Sequence, residues 1–333
     1  MEIPKMNNLV TFVKDDGLST KEKFSIAKGK IVRFLFGFNN RKGFLLKFSI
    51  YTLLVCIGFV YLYPMLYMFI TSIKSLEDLL DSSIRWIPSS FYSNNYQQAY
   101  SVMNIKHSLS GSLLIATVPT LFQVVVSALV GYGFARYNFP LKKLFFGLML
   151  FSFIIPPQIL MMPTYQLFNQ LNLTGSLNAF IVPAALGQGL NSTIFILIFY
   201  QFFKQTPQSL YEAAEVDGAS QFTCFFKIAI PMAVPAFIIS FLFSFVWYWN
   251  ETYLTTLYLT SQSTDITTVL LQLQQFQQNY EAIYPVTENS PNKINEGIKM
   301  AGTMISVLPL LIVYFFLQRY FVESVDRTGI AGE

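Results

Sequence analysis

Charged side chains are absent from five long apolar intervals of this chain: Phe48 to Ile73, Ser108 to Ala135, Leu144 to Phe203, Ile228 to Asn250, and Met300 to Gln318. A helix needs about 20 apolar residues to cross the hydrocarbon core of a bilayer. Four intervals therefore read as single crossings, and Leu144 to Phe203 is long enough for two. Asn169-Gln170-Leu171-Asn172-Leu173-Thr174-Gly175-Ser176 is the polar break between them. The pattern predicts an all-α, polytopic membrane protein with six transmembrane helices. The fifth helix is expected to start near Pro231 and to run a little past Glu251, because the apolar pattern resumes at Tyr253 and Leu254.

Composition sharpens this picture. With 53% hydrophobic and 12% charged residues, 34 Phe and 19 Tyr, the side chains exceed what an ordinary soluble core can hide. Lys and Arg then orient the spans. Residues 1–47 carry Lys14, Lys21, Lys23, Lys28, Lys30, Arg33, Arg41, Lys42 and Lys47, and the loop after the second span carries Arg136, Lys142 and Lys143. Those faces are expected to be cytoplasmic, with both termini and the 204–232 loop on the same side and the 261–296 loop outside. Residues 1–47 lack the apolar stretch and cleavage site of a secretory signal. Their charges either lie against anionic lipid or serve only to set topology. The predicted organisation is a basic segment over 1–47, a membrane domain over 48–322, and a cytoplasmic tail over 323–333.

One polar segment interrupts this apolar chain. Thr206-Pro207 reads as a helix start, with Thr as cap and Pro at the first helical position. Leu210-Tyr211-Glu212-Ala213-Ala214-Glu215-Val216-Asp217-Gly218-Ala219 follows, with Gly218 as a left-handed stop. Ser220 is placed to cap a second helix running to Pro231. The pattern E-A-A-x-x-D-G-A, followed by Phe225, Pro231 and Pro235, resembles the coupling loop of ABC importer permeases. Gly131-Tyr132-Gly133-Phe134-Ala135-Arg136, Pro156-Pro157-Gln158, Pro163-Thr164-Tyr165, Phe202 to Pro207, Trp249-Asn250-Glu251 and Gln318 to Val322 resemble the carbohydrate branch, and within it the shorter, six-span maltose-type subunit. Gly111-Ser112 departs from the Asn-Ser pair common at that point. The tail Gly329 to Glu333 lacks the usual basic residue.

The resemblance implies the type I ABC importer permease fold in a prokaryotic cell membrane. It implies a complex with a second, different permease, two ATPase subunits and an extracytoplasmic sugar-binding protein, and a carbohydrate substrate; nucleic acid has no part in it. Glu212, Ala213, Ala214, Asp217, Gly218 and Ala219 would couple to the ATPase. The chain has no G-x-x-x-x-G-K-[ST] loop, so ATP and Mg would be bound by the partner, and no cofactor is expected on this chain. Cys56, Cys224 and the single His107 show no metal or disulfide spacing.

Candidate pathway residues are aromatic groups that adjoin polar ones: Trp247, Tyr248, Trp249, Asn250 and Glu251, with Gln188, Asn191 and Ser192 in the fourth span. A carboxylate within a span costs about 2.5–3.5 kcal/mol on insertion scales, so Glu251 should face water or a helix partner, not lipid. Interhelical bonding explains Gln188 and Asn191 equally well. Pro156 and Pro157 interrupt the third span as a gate hinge or a static kink. The external Ser261 to Glu296 segment is expected to meet the binding protein through the neutral donors and acceptors of Gln272, Gln274, Gln275, Gln277, Gln278 and Asn279, or else to be a solvated loop. Rival readings are an ABC permease for another small solute and a secondary carrier, which would normally need more intramembrane ionisable groups than Glu251.

Overall fold

The computed structural model describes residues 35, 37–38, 41–259, 265–285 and 294–330, with the backbone alone at 37–38, at 41–42 and from 320 onward. The chain divides into two units at Tyr67 and Met68. In the first unit a minimal hairpin, β1 (Gly37–Phe38) antiparallel to β2 (Arg41–Lys42), precedes helix α1 (Phe44–Ser72). These short strands are a small addition to the all-α expectation. Helix α1 begins four residues before the charge-free interval because Lys47 sits inside its first turns. At 29 residues it is about 43 Å long, enough to span a bilayer. Side chains such as Leu53, Val55 and Tyr61 stand exposed along it, as a lipid-facing helix requires.

The second unit contains the end of α1, α2 (Leu76–Leu80), α3 (Asn94–Val102) and the central α4 (Ile105–Arg136). Then follow α5 (Lys142–Ile154), α6 (Pro157–Gln170), α7 (Asn178–Ala185) and α8 (Ser192–Gln205). The polar segment forms α9 (Gln208–Val216) and α10 (Gln221–Cys224), continued by a π-turn over Phe225–Ala229 into α11 (Ile230–Met232). Helices α12 (Val234–Asn250), α13 (Tyr253–Leu259), α14 (Val269–Gln274), α15 (Phe276–Ile283) and α16 (Glu296–Ile330) complete it.

Helix α4 is the axis of this unit and packs most extensively on α8 and α12. Its buried stripe is rich in small and polar residues, Ser108, Gly111, Ser112, Thr120, Gln123 and Ser127 among Ile115, Val124 and Tyr132, while Leu113, Leu114, Leu121, Phe122 and Leu129 point out. That inversion of the soluble-protein pattern is what lipid selects, since helices gain nothing by hiding leucine from hydrocarbon and gain much by close packing and shared hydrogen bonds. The Thr120 and Ser244 hydroxyls meet at 3.0 Å across α4 and α12.

The expected crossings differ from the observed helices in three places. Among the described residues, three helices are long and apolar enough to span alone: Phe44–Ser72, Ile105–Arg136 and Glu296–Arg319. The third expected crossing is bent by 101° between α5 and α6. Each proline forces its predecessor out of the helical region, so Ile155 and Pro156 are extended and Pro157 opens α6. The expected fourth crossing is not one helix but α7 and α8, separated by 186–191. The fifth starts at Val234, after a 73° bend, and stops at Asn250. Glu251 is extended there, and its side chain accepts a bond from Leu254 N at 2.8 Å, so the apolar pattern resumes as the separate helix α13.

The expected outer loop is built into the fold over its described part. Val269, Phe276 and Tyr280 pack with Ala99, Val102, Met103, Ile298 and Ala301. Ser112 Oγ accepts from Val269 N at 2.8 Å, and His107 Nε2 bonds the Asp265 carbonyl. A Cβ on Gly111 would overlap the Thr267 carbonyl, so the packing of 265–269 on α4 requires glycine at this position. Gln274, Gln275, Gln277 and Gln278 remain exposed, and 286–293 lie outside the described residues.

Candidate functional site

Two places bring the predicted residues together. The first is the polar segment α9–α10. Gly218 takes φ +81°, the left-handed turn expected of it, and Ser220 Oγ accepts from Thr223 N at 3.2 Å to cap α10. Thr206 does not cap α9. Its hydroxyl faces back toward the Phe202 carbonyl at 3.4 Å, since the following proline holds Thr206 extended at the end of α8. Asp217 ends α9 and leaves the cap of α10 to Ser220.

The inner side of this segment is clamped. Tyr132 of α4 packs on Phe225 at 4.8 Å, Phe203 at 5.3 Å and Tyr211 at 6.4 Å between ring centroids. Arg136 lies over the Tyr211 ring at 4.5 Å and donates to Glu215 Oε1 at 3.0 Å. Gln221 Nε2 donates to the same carboxylate oxygen at 3.1 Å, and Tyr137 Oη donates to Gln221 Oε1 at 2.9 Å. Burial raises the Tyr211 phenol above its usual pKa, against the opposing pull of Arg136, so the ring beneath the guanidinium stays neutral. Gly131 lets α8 approach: a Cβ there would lie 2.7 Å from Phe199 Cβ and 2.9 Å from Tyr200 N. The Gly131 to Arg136 motif is therefore the base on which the segment is mounted.

The outer side is bare. Glu212, Ala213, Asp217 and Gly218 are exposed, with Leu210 beside them, Val216 at 87% and Phe222 at 77%. Ala214 and Ala219 instead pack against the clamp. Glu212 accepts from Gln208 Nε2 within its own helix at 2.8 Å. Sequence reading overlooked the inward role of Glu215 and the outward Val216 and Phe222; helical spacing from Leu210 through Ala213 to Val216 was the available signal.

The second place is a cavity of about 350 Å³ between α5, α6, α7, α8 and α12, within the size range of small-ligand sites. Gln188, Asn191, Ser192, Tyr248, Glu251 and Pro157 line it. Glu251 is the one Asp, Glu, Lys or Arg among its lining residues. Five consecutive candidates cannot share one face of a helix turning 100° per residue. Tyr248 and Glu251, three apart, reach the cavity, whereas Trp247, Trp249 and Asn250 lie outside its lining. Trp247 packs on Phe195 at 5.2 Å, Trp249 stacks on Phe245 at 6.0 Å, and Asn250 Nδ2 donates to the Val246 carbonyl at 2.9 Å. Gln123, remote in sequence, was missed. Its amide joins Tyr248 to the Leu190 backbone behind the cavity.

A helical membrane bundle that carries an exposed polar helix on a clamped base, and inside it a largely apolar cavity with a few polar groups, has the parts of a membrane permease. The model for the binding-protein-dependent transport system inner membrane component family matches residues 123–327, and the chain belongs to that family. The chain is thus the non-catalytic, membrane-embedded component of a transport system that works with a binding protein. It is 28% identical to the arabinooligosaccharides transport system permease protein AraQ of Halalkalibacterium halodurans, over 83% of this chain and 93% of that protein. It is 29% identical to the osmoprotective compounds uptake permease protein GgtD of Synechocystis, over 86% and 93%. A solved bacterial ABC transporter involved in the import of the acidic polysaccharide alginate has a chain of the same fold, with TM-score 0.69, 19% identity, and coverage of 85% of this chain and 99% of that one.

Proposed function

We propose that this chain forms one half of the translocation pathway of an ATP-driven ABC importer for an oligosaccharide in a prokaryotic cell membrane. Its partners are a second, different permease, two ATPase subunits that bind ATP and Mg, and an extracytoplasmic sugar-binding protein, with both termini cytoplasmic. The observation that carries this reading is the mounting of α9–α10: bare outside, fastened inside to the ends of α4 and α8. Leu210, Glu212, Ala213, Val216, Asp217 and Gly218 form the outward face that enters a cleft of the ATPase. Closure of the ATPase then moves α4 and α8 through Arg136, Tyr132 and Glu215, a rigid-body transmission. The bend at Pro156 and Pro157 serves as the hinge of the gate.

The solute is a neutral saccharide on this reading. Gln188 and Asn191 each offer amide donors and an acceptor, as sugar hydroxyls demand, and the Glu251 carboxylate disfavours a uronate beside it. The names of relatives support a carbohydrate: arabinooligosaccharides for AraQ and diacetylchitobiose for the Streptomyces coelicolor protein NgcG. A small osmoprotective solute is the second reading, favoured by the GgtD relative. The test is Val216→Asp and, separately, Gly218→Val. Each should insert normally but lose ATPase copurification or ATP-dependent sugar uptake. Full association and full uptake in both would end the coupling assignment.

A further inference from the structure

The break between α7 and α8 is an irregular backbone segment within an otherwise apolar crossing, and it forms one wall of the cavity: Gly187, Gln188, Gly189, Leu190 and Asn191 all line it. Irregular backbone at membrane depth persists only where protein or a cavity satisfies its polar groups. Here the satisfaction is one-sided. Gln123 of α4, fully buried, donates from Nε2 to the Leu190 carbonyl at 2.6 Å and accepts from Tyr248 Oη of α12 at 2.8 Å. Tyr248 Oη in turn accepts from Leu190 N at 3.3 Å. Gly187 and Asn191 hold left-handed conformations, φ +74° and +53°. A Cβ on Gly189 would lie 2.6 Å from Tyr248 Oη and 3.0 Å from Ala184 Cα, so the two helices grip this loop at closest approach. Asn191 makes no capping bond to α8, and the side chains of Gln188 and Asn191 are exposed on the cavity side.

We propose that Gln123 and Tyr248 are positioning residues: their buried network sets the geometry of loop 186–191, and through it the placement of the Gln188 and Asn191 amides that meet the saccharide on the reading above. The proposal rests on the carbohydrate-importer reading above. Its physical basis is preorganisation: with the rear polar groups of the loop paired in a buried network, the cavity-facing amides need little reordering on binding. Selectivity among sugars is then governed partly by Gln123, which touches none of them.

The experiment uses the complete importer in proteoliposomes, with its own partner permease, ATPase and binding protein, and a panel of neutral oligosaccharides. Gln123→Leu and Tyr248→Phe should each raise the half-saturating concentration for uptake roughly three- to tenfold, the change that one or two lost neutral hydrogen bonds produce. Maximal rate should stay within about twofold, and the rank order of sugars should shift, which a purely structural role would not do. The double variant should match either single one, because both act through the same loop. Reduced maximal rate with unchanged half-saturation and rank order, or fully additive effects, would overturn the proposal. If neither variant assembles with the ATPase, Asn191→Gly decides, since glycine keeps the left-handed backbone and removes only the amide: a raised half-saturation supports the proposal and an unchanged one overturns it. A parent importer that moves none of the sugars overturns the carbohydrate reading itself and this proposal with it.

Discussion

The α9–α10 segment and the 186–191 loop are both interruptions in an apolar chain, yet they are held by different physics. The first is mounted by aromatic packing and one ion pair, around Tyr132, Tyr211, Phe203 and Arg136 with Glu215. The second is held by neutral hydrogen bonds among Gln123, Tyr248 and Leu190, with two residues at positive φ. Packing of rings tolerates sliding motion while keeping contact, and it leaves the outer side chains free for a partner. A hydrogen-bond network is directional and fixes position, which suits a wall that recognises a solute. The comparison teaches that one small bundle holds its two interruptions by different kinds of contact, rings where we propose transmission and directional bonds where we propose recognition.

Substitutions that enlarge a contact point should separate the two regions, and the largest effect belongs to the clamp. Gly131→Val places carbon against the Phe199 side chain and the Tyr200 backbone, neither of which can retreat. Overpacking at a helix crossing costs roughly 3 kcal/mol or more, so thermal unfolding of the purified complex should fall sharply and uptake vanish. Gly189→Ala comes next, at about 1–3 kcal/mol, because the new methyl displaces the Gln123 and Tyr248 groups and leaves buried polar atoms unpaired. Assembly with the ATPase should survive it, while uptake weakens at low sugar concentration.

Arg136→Ala should then cost about 1 kcal/mol, since the pair is partly exposed and only the cation–π contact is well packed. Its signature is uncoupling: the ratio of sugar moved to ATP hydrolysed should drop, and Arg136→Lys should restore it only in part because an ammonium cannot stack on Tyr211 as guanidinium does. The contrast narrows to backbone conformation alone at Gly218, where a Cβ meets no neighbour and only φ matters. The smallest effect is Gly218→Asn, close to neutral because Asn tolerates the left-handed turn, whereas Gly218→Val should strain it by roughly 1–2 kcal/mol and weaken ATPase copurification, measured against temperature.

Much of the clamp was legible in the sequence, because it is written locally. Gly218 and Ser220 announce the turn and cap by residue type, and the glycine and arginine of Gly131 to Arg136 lie within one helix end. The cavity was legible only in part. Tyr248 and Glu251 stand three apart at the end of α12, while Trp247 and Trp249 share their composition and not their face, so aromatic clustering alone does not tell which of these candidates line the cavity. Gln123 lies far from Tyr248 in the chain and joins it only through the crossing of α4 and α12, a contact that no local pattern encodes. The bend at Pro156 was readable as a break, while its 101° size depends on packing.

The central claim is that this chain turns ATPase closure into movement of a neutral saccharide. The measurement that tests it most directly is sugar uptake by proteoliposomes holding the complete importer, with loaded binding protein outside and ATP within, for the parent and for Val216→Asp. The account predicts ATP-dependent uptake of a neutral oligosaccharide by the parent, little uptake of a uronate of the same length, and loss of both uptake and ATPase association in the variant. Uptake by the chain alone, without the ATPase, or undiminished coupled uptake by Val216→Asp, would contradict it.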